Sequence, residues 1–286
     1  MAKKPFGEPI INDRFGNPII PMTQGQFELV NAIETHDIVF VNGPAGAGKT
    51  FIATCMAVAA MDAGRFKHLV LTRPIVESGE ELGFLPGTME EKVEPYMRPL
   101  YESLEKLKPK RPKATDMNYH DSQIGNVKKT MNKKPLRKPS GWDNAPEGGY
   151  RRKDPLEDWW SKVEVAPLAY MRGATFDNSF IILDEAQNVQ SSQMKLMLTR
   201  LGKGSKVVVC GDATQSDLDR RTKSGFRHAQ HLLKGVDGIG FVTLTEDDIV
   251  RHKLVRDIII RYEHDPEKRY DDGYEIQKNE IQSNTD

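Results

Sequence analysis

Apolar residues along this chain fall into short unbroken runs, separated by stretches with helical spacing. The runs are Ile38 to Val41, His68 to Thr72, Phe180 to Leu183, Lys206 to Cys210 and Phe241 to Leu244. Each is short and rich in Val, Ile and Leu, and the first four are closed by Asn42, Arg73, Asp184 and Gly211, the signature of strands buried on both faces. Between them, Phe27, Val30 and Ile33 mark one side of a helix over Gln26–Glu34, and Lys49–Met61 continues as a helix rich in Ala and Met. A helical pattern also fills the second half of the run from Arg73 to Leu107. It returns at Met194, Met197, Leu198 and Leu201, and again at Ile249, Leu254, Ile258 and Ile259 over Asp248–Tyr262. Strands alternating with helices predict a parallel sheet in a three-layer α/β/α domain.

Three stretches break this rhythm. Residues 1–22 are rich in Pro, Gly and Asn and are expected to be an irregular lead-in to a domain over 23–262. Residues 106–153 interrupt that domain with fourteen Lys and Arg against four acids and few β-branched residues, a basic insertion. Residues 263–286 form a polar tail. A chain of 286 residues buries a sizeable core without needing a disulfide or metal, so Cys55 and Cys210, both in apolar runs, are expected to be core residues. Basic and acidic residues balance at 41 each, a total that leaves room for a locally basic surface. No apolar leader opens the chain and no stretch approaches a membrane span, so the expected location is the cytoplasm, without membrane contact.

Chemistry enters at the first strand-to-helix junction. Gly43-Pro44-Ala45-Gly46-Ala47-Gly48-Lys49-Thr50 is G-x-x-x-x-G-K-T, the phosphate-binding loop, with a strand before it and a helix after it. Its backbone N–H groups form a concavity over a helix N-terminus. Lys49 is placed to reach β- and γ-phosphates, and Thr50 offers a hydroxyl to Mg²⁺. Asp184-Glu185 ends a later apolar strand, where ligands bind in open α/β sheets. Asp184 is the candidate that holds Mg²⁺ through water, and Glu185 the residue that polarises an attacking water. A third strand ends in Gly211-Asp212-Ala213-Thr214-Gln215, which sets Gln215 near the γ-phosphate as a sensor.

The loop, DEAQ at 184–187 and GDATQ at 211–215, in this order, resemble the ATPase core of superfamily 1 helicases. The runs TRPIVESGEELGFLPGTMEEKVEPYMRPLYESL and VAPLAYMRGATFDNSFIILDEAQNVQSSQMKLMLTRLGKGSKVVVCGDATQSDL more specifically resemble the PhoH family, the PhoH-like ATPases of bacteria and bacteriophages. The likeness spans Thr23 to Tyr262 apart from the insertion, and its style suggests the phage version, working in a host cytoplasm. It implies a single RecA-like P-loop NTPase core, ATP and Mg²⁺ as ligands, and hydrolysis of ATP. It also implies RNA or single-stranded DNA as a partner and a homo-oligomeric ring, commonly a hexamer. Helicase-like cores use a glutamine ahead of the loop for the adenine edge, a role that falls on Gln26.

With one core only, an arginine that completes the site must come from the chain's own C-terminal part or from a neighbouring subunit. Arg172, Arg200 and Arg251 are the candidates, each equally compatible with a surface role, and Arg251 is favoured because it opens the last helix. Arg73, after the second strand, either contacts nucleic-acid phosphate or pairs with a carboxylate of this chain. Lys128, Lys129, Lys133 and Lys134, with aromatic neighbours in the insertion, suit single strands through charge and stacking, or else serve solubility or subunit contacts. Two other classes compete with a nucleic-acid-coupled ATPase. One is an ATP-gated oligomeric scaffold with slow hydrolysis. The other, disfavoured by Glu185 and Gln215, is a P-loop kinase.

Overall fold

In the computed structural model, the described residues are 6–75, 89–108, 155–171, 173, 175–216, 218 and 224–263. Six strands make one sheet: β3 (Ile38–Asn42), β4 (His68–Arg73), β5 (Val163–Pro167), β6 (Ser179–Leu183), β7 (Lys206–Gly211) and β8 (Ile239–Thr243). All pair in parallel, in the order β5-β4-β6-β7-β3-β8. The lead-in is not irregular throughout. It holds a small antiparallel ribbon of β1 (Ile11–Asn12) and β2 (Pro18–Ile19). Asp13 makes the turn, accepting from the N–H groups of Phe15 and Asn17 with one oxygen and from the Asn17 amide with the other.

Helices cover both faces of the sheet. On one side lie α1 (Gln24–Thr35), α2 (Lys49–Asp62), α3 (Met89–Leu107) and α4 (Pro155–Trp160). On the other lie α5 (Ser191–Leu198) and α6 (Gly225–Leu232). The first core gathers Leu29, Ile33, Ala53, Ala57, Leu100 and Leu104 onto Val39, Leu69, Leu71 and Ile182. The second gathers Met194, Met197, Phe226 and Ala229 onto Phe40, Ile181, Leu183 and Val209. Alternate residues of each central strand thus enter opposite cores, which is why those strands are apolar without a break. This is a single three-layer α/β/α core of the RecA-like P-loop NTPase type. The cysteines are free and fully buried, as their apolar setting predicts, and burial pushes the Cys55 thiol up to about 12.

Three elements depart from the spacing. β5, the edge strand VEVAP, and α6 were not evident from apolar runs. The last helix, α7 (Lys253–Glu263), starts later than Asp248, because Glu246–Asp248 forms a separate 3-10 turn. Most of the insertion, including Lys128, Lys129, Lys133 and Lys134, and most of the tail lie outside the described residues.

The placement of β7 determines which loops meet at the end of the sheet. It lies between β3, which feeds the phosphate-binding loop, and β6, which ends in the acid pair. In register, Asn42 stands beside Gly211, and Val209 beside Leu183. The segment after Gly211 therefore emerges between the loop and the acids.

Candidate nucleotide site

Gly43 to Gly48 wraps the carboxyl end of β3 and enters α2 through Gly48, whose φ of 88° is left-handed. A side chain there would be strained, and its Cβ would lie 3.0 Å from Gln26 Nε2. No side chain caps α2, so its first N–H groups face the loop, the arrangement that binds anions. Lys49 Nζ donates to the carbonyls of Gly43 (2.5 Å) and Pro44 (3.0 Å), curled along the loop.

Thr50 and Asp184 meet across the strand between them. The Thr50 hydroxyl donates to Asp184 Oδ1 at 2.5 Å. Asp184 is 8% exposed, and burial raises its carboxyl above the ordinary carboxylate range, with the Thr50 hydrogen bond opposing. A hydroxyl and a buried carboxylate converging on one point are the hard oxygen donors Mg²⁺ uses, and a divalent cation would offset the desolvation of Asp184. The donor set fits.

Glu185 lies one residue further on and has φ of 51°, a left-handed backbone that costs an L-residue about 1–2 kcal/mol. Its Oε2 accepts from Gln187 Nε2 at 2.6 Å, and its Oε1 faces Arg73 Nη2 at 3.9 Å. Arg73 also donates to the Tyr96 carbonyl of α3 at 3.1 Å, and its buried Nε finds no partner among the described residues. Of the two readings for Arg73, the carboxylate of this chain is the contact that is present. Gln215 is exposed at the cleft, its N–H donating to the Asp212 carbonyl. Asp212 shapes that turn by accepting from the N–H (2.9 Å) and hydroxyl (2.6 Å) of Thr214.

Gln26 is buried beside the loop with both ends of its amide engaged. Nε2 donates to the Ala47 carbonyl at 3.0 Å, and Oε1 accepts from Met22 N–H at 2.9 Å. It joins the lead-in to the loop, an employment the spacing had not suggested. Arg251 lies over the loop, its Cγ 3.0 Å from where a Cβ on Gly46 would stand, and the neighbouring Val250 N–H donates to the Gly46 carbonyl. Arg200 is elsewhere: its carbonyl receives Phe176 N–H ahead of β6, at the opposite end of the sheet. Arg172 lies outside the described residues.

A cleft of about 780 Å³ unites Gln26, Ala45, Gly46, Gly48, Lys49, Thr50, Asp184, Glu185, Gln215 and Arg251. Its other wall is apolar and comes from Ile19, Ile20 and Met22 of the lead-in, Phe51 of α2 and Pro99 of α3, with Ser103 and Lys106 at hand. Lys106 Nζ stands 5.4 Å from the Phe51 ring centroid. Two residues that hold this site were not singled out from sequence, Gln187 and Asp248. Asp248 Oδ1 accepts from Gly25 N–H (3.1 Å) and Oδ2 from Thr245 N–H (2.8 Å), tying the start of α1 to the segment carrying Val250 and Arg251.

The family model described as PhoH-like protein matches residues 18–263. The chain belongs to the PhoH-like family. A PhoH-like protein of Bacillus subtilis is 41% identical over 258 residues, covering 90% of this chain and 68% of its own length. A PhoH-like protein of Synechocystis is 41% identical, covering 87% and 64% respectively. Protein PhoH of Escherichia coli is 37% identical, covering 88% and 60%. The chain thus spans about two thirds of the length of these relatives. Among solved structures, similarity is found to the Hef helicase domain of Pyrococcus furiosus (14% identity, 77% of this chain and 37% of that one, TM-score 0.38). It is also found to the Pif1 helicase of Candida albicans (10% identity, 79% and 41%, TM-score 0.33). PhoH-like membership and the loop in its strand-to-helix setting make this a protein of P-loop ATPase type. Among the described residues no helix is long and apolar enough to cross a membrane.

Asp248→Ala removes the carboxylate shared by α1 and the segment bearing Arg251, leaving two backbone N–H groups without their acceptor. Stability should fall by about 1–3 kcal/mol in urea titration. Affinity for a fluorescent ATP analogue should fall with it.

Proposed function

We propose that this PhoH-like chain binds ATP with Mg²⁺ in the cleft and hydrolyses it, in a cycle coupled to RNA or single-stranded DNA. The observation carrying this reading is the 2.5 Å contact of Thr50 with buried Asp184, beside a second carboxylate in strained backbone. Mg²⁺, held by Thr50 and Asp184, would neutralise charge on the β- and γ-phosphates. Lys49 leaves the Gly43 and Pro44 carbonyls for those phosphates, while the loop N–H groups and the N-terminus of α2 cradle them. Glu185 polarises a water in line with the γ-phosphate, and Gln215 reports whether that phosphate is present. Arg251, already over the loop, adds positive charge to the transferring group. The base rests against the apolar wall, where Gln26 reads the adenine edge when Met22 yields its place on the amide.

The same cleft bears on polymer binding and on assembly. Arg73, held near Glu185, and the basic residues Lys128, Lys129, Lys133 and Lys134 form the route by which a single strand influences the site. A homo-oligomeric ring, hexameric by family resemblance, is supported by α7, which exposes Leu254, Val255, Ile258 and Tyr262 next to the cleft. Arg200 lies far from its own loop, but its Nε is buried in its own chain, which makes it a poorer candidate than Arg251 for completing a neighbour's site.

Lys49→Ala should abolish nucleotide binding or turnover, whereas Glu185→Gln should retain ATP binding and lose at least about tenfold in kcat. Normal hydrolysis by Glu185→Gln would remove the assignment of the base. Turnover measured with single-stranded RNA, single-stranded DNA and duplexes should rise with a single strand. Deleting residues 110–150 should weaken salt-dependent binding of that strand, and unchanged affinity would exclude the insertion. Sedimentation with a non-hydrolysable ATP analogue should give an assembly larger than one chain. A monomer with full hydrolysis would overturn the ring.

A further inference from the structure

Gln187 joins the two halves of the site and is assigned by none of the roles above. It is 4% exposed and sits in the short 3-10 turn Ala186–Asn188 after Glu185. Its amide nitrogen donates to Glu185 Oε2 at 2.6 Å, and its amide oxygen accepts from Asp212 N–H at 3.0 Å. The partners fix the orientation of the amide. A carboxylate only accepts and a backbone N–H only donates, so a flipped amide would lose both bonds. Its backbone carbonyl accepts from the hydroxyls of Ser216 (3.2 Å) and Ser224 (3.0 Å), which pins the segment after β7 to the same turn.

Sheet order gives this amide its reach. β7 separates the acid strand from the loop strand, and Gln187 spans the β6–β7 boundary, bonding Glu185 beyond β6 and Asp212 beyond β7. Asp212 also makes the turn that presents Gln215, through its carbonyl and its contacts with Thr214. One amide therefore connects the carboxylate that polarises water to the turn that meets the third phosphate. At 2.6 Å the Gln187 amide is a close contact of the Glu185 carboxylate, which extends from a backbone at φ 51°. Opposite Gln187, Arg73 at 3.9 Å approaches the other oxygen.

We propose that Gln187 is a positioning residue that aligns Glu185 in response to Gln215. A shift of the Asp212–Gln215 turn on meeting the γ-phosphate is passed through the Gln187 amide to the Glu185 carboxylate. This rests on the reading of Glu185 as the base that polarises water. Gln187→Leu keeps volume while removing both hydrogen bonds, and Gln187→Glu sets like charge against Glu185.

The test uses the full chain and steady-state ATP hydrolysis with Mg²⁺. Gln187→Leu and Gln187→Glu should each lower kcat at least about tenfold while KM for ATP and affinity for a fluorescent ADP analogue stay within about twofold. A loss of folded protein would lower kcat per total chain with KM unchanged, so the stoichiometry of ADP-analogue binding is measured as well. It should stay at the wild-type value for positioning and fall in step with kcat for a structural loss, which would overturn the proposal. A double-mutant cycle of Gln187→Leu with Gln215→Ala supplies the second measurement. Once the relay is cut, adding Gln215→Ala should cost much less than it does alone, and fully multiplicative losses would overturn the proposal. If Glu185→Gln loses turnover but Gln187→Leu does not, the inference fails and the base assignment stands. If Glu185→Gln keeps turnover, the base assignment itself fails.

Discussion

A buried carboxylate, hydrogen-bonded by the Thr50 hydroxyl and by the Glu185 backbone, is the point on which this molecule is arranged. Asp184 and Thr50 stand 134 positions apart in the chain, and their contact brings the start of α2 against the end of β6. Because β7 lies between the parent strands, the contact has to reach over the place where β7 ends. On the other face, Gly211 ends β7 directly against α6: a Cβ on it would lie 2.9 Å from the ring of Phe226. The loop, the acids and the sensor turn are therefore three neighbouring outlets of one sheet edge, spaced by strand pairing at about 4.8 Å per step. Central strands buried on both faces fix that spacing, and the groups that must rearrange around a nucleotide lie beyond their ends.

Desolvation explains why so much of the site is bonded to itself. Polar groups at the cleft find acceptors or donors in the chain: Lys49 in loop carbonyls, Gln26 in Ala47 and Met22, Glu185 in Gln187. An incoming polyphosphate exchanges with these contacts, and the net gain is smaller than the gross attraction of a triphosphate for a lysine. The exchange also gives specificity a physical basis. On the proposed reading, a ligand without a third phosphate would release Lys49 without engaging the Asp212–Gln215 turn.

The central strands were legible in the sequence because both of their faces are buried, which leaves unbroken runs such as Val207–Cys210. β5 was not, because Val163–Pro167 is an edge strand with Glu164 exposed, so its run carries a charge. The ribbon of β1 and β2 escaped because its strands are two residues long and its stability comes from the Asp13 turn and from Ile11 and Ile19 lying on the core. Lys49, Thr50, Asp184, Glu185 and Gln215 were singled out from their chemistry at the loop and strand ends, and the fold brings them to one cleft. Gln187 and Asp248 were not, because an amide or carboxylate that holds other groups looks like any polar residue until strand register brings its partners together.

The lead-in shows how the two kinds of information combine. Its composition announces turns and no periodicity, yet Ile19, Ile20 and Met22 make an apolar wall of the cleft that holds the phosphate-binding loop. They are held there by an amide in the helix that comes next: Gln26 takes Met22 N–H on one side and Ala47 of the loop on the other. Thr23 caps α1 and sets that amide in place by accepting from Gln26 N–H. A segment with little regular structure of its own thus becomes part of the site through one buried side chain that answers to both the loop and the wall. The same logic governs Gln187 on the other side of the cleft, where one amide answers to both the acid and the sensor turn. In both places the sheet supplies the rigid frame, and a single glutamine sets the distance between two segments that the sheet alone does not join.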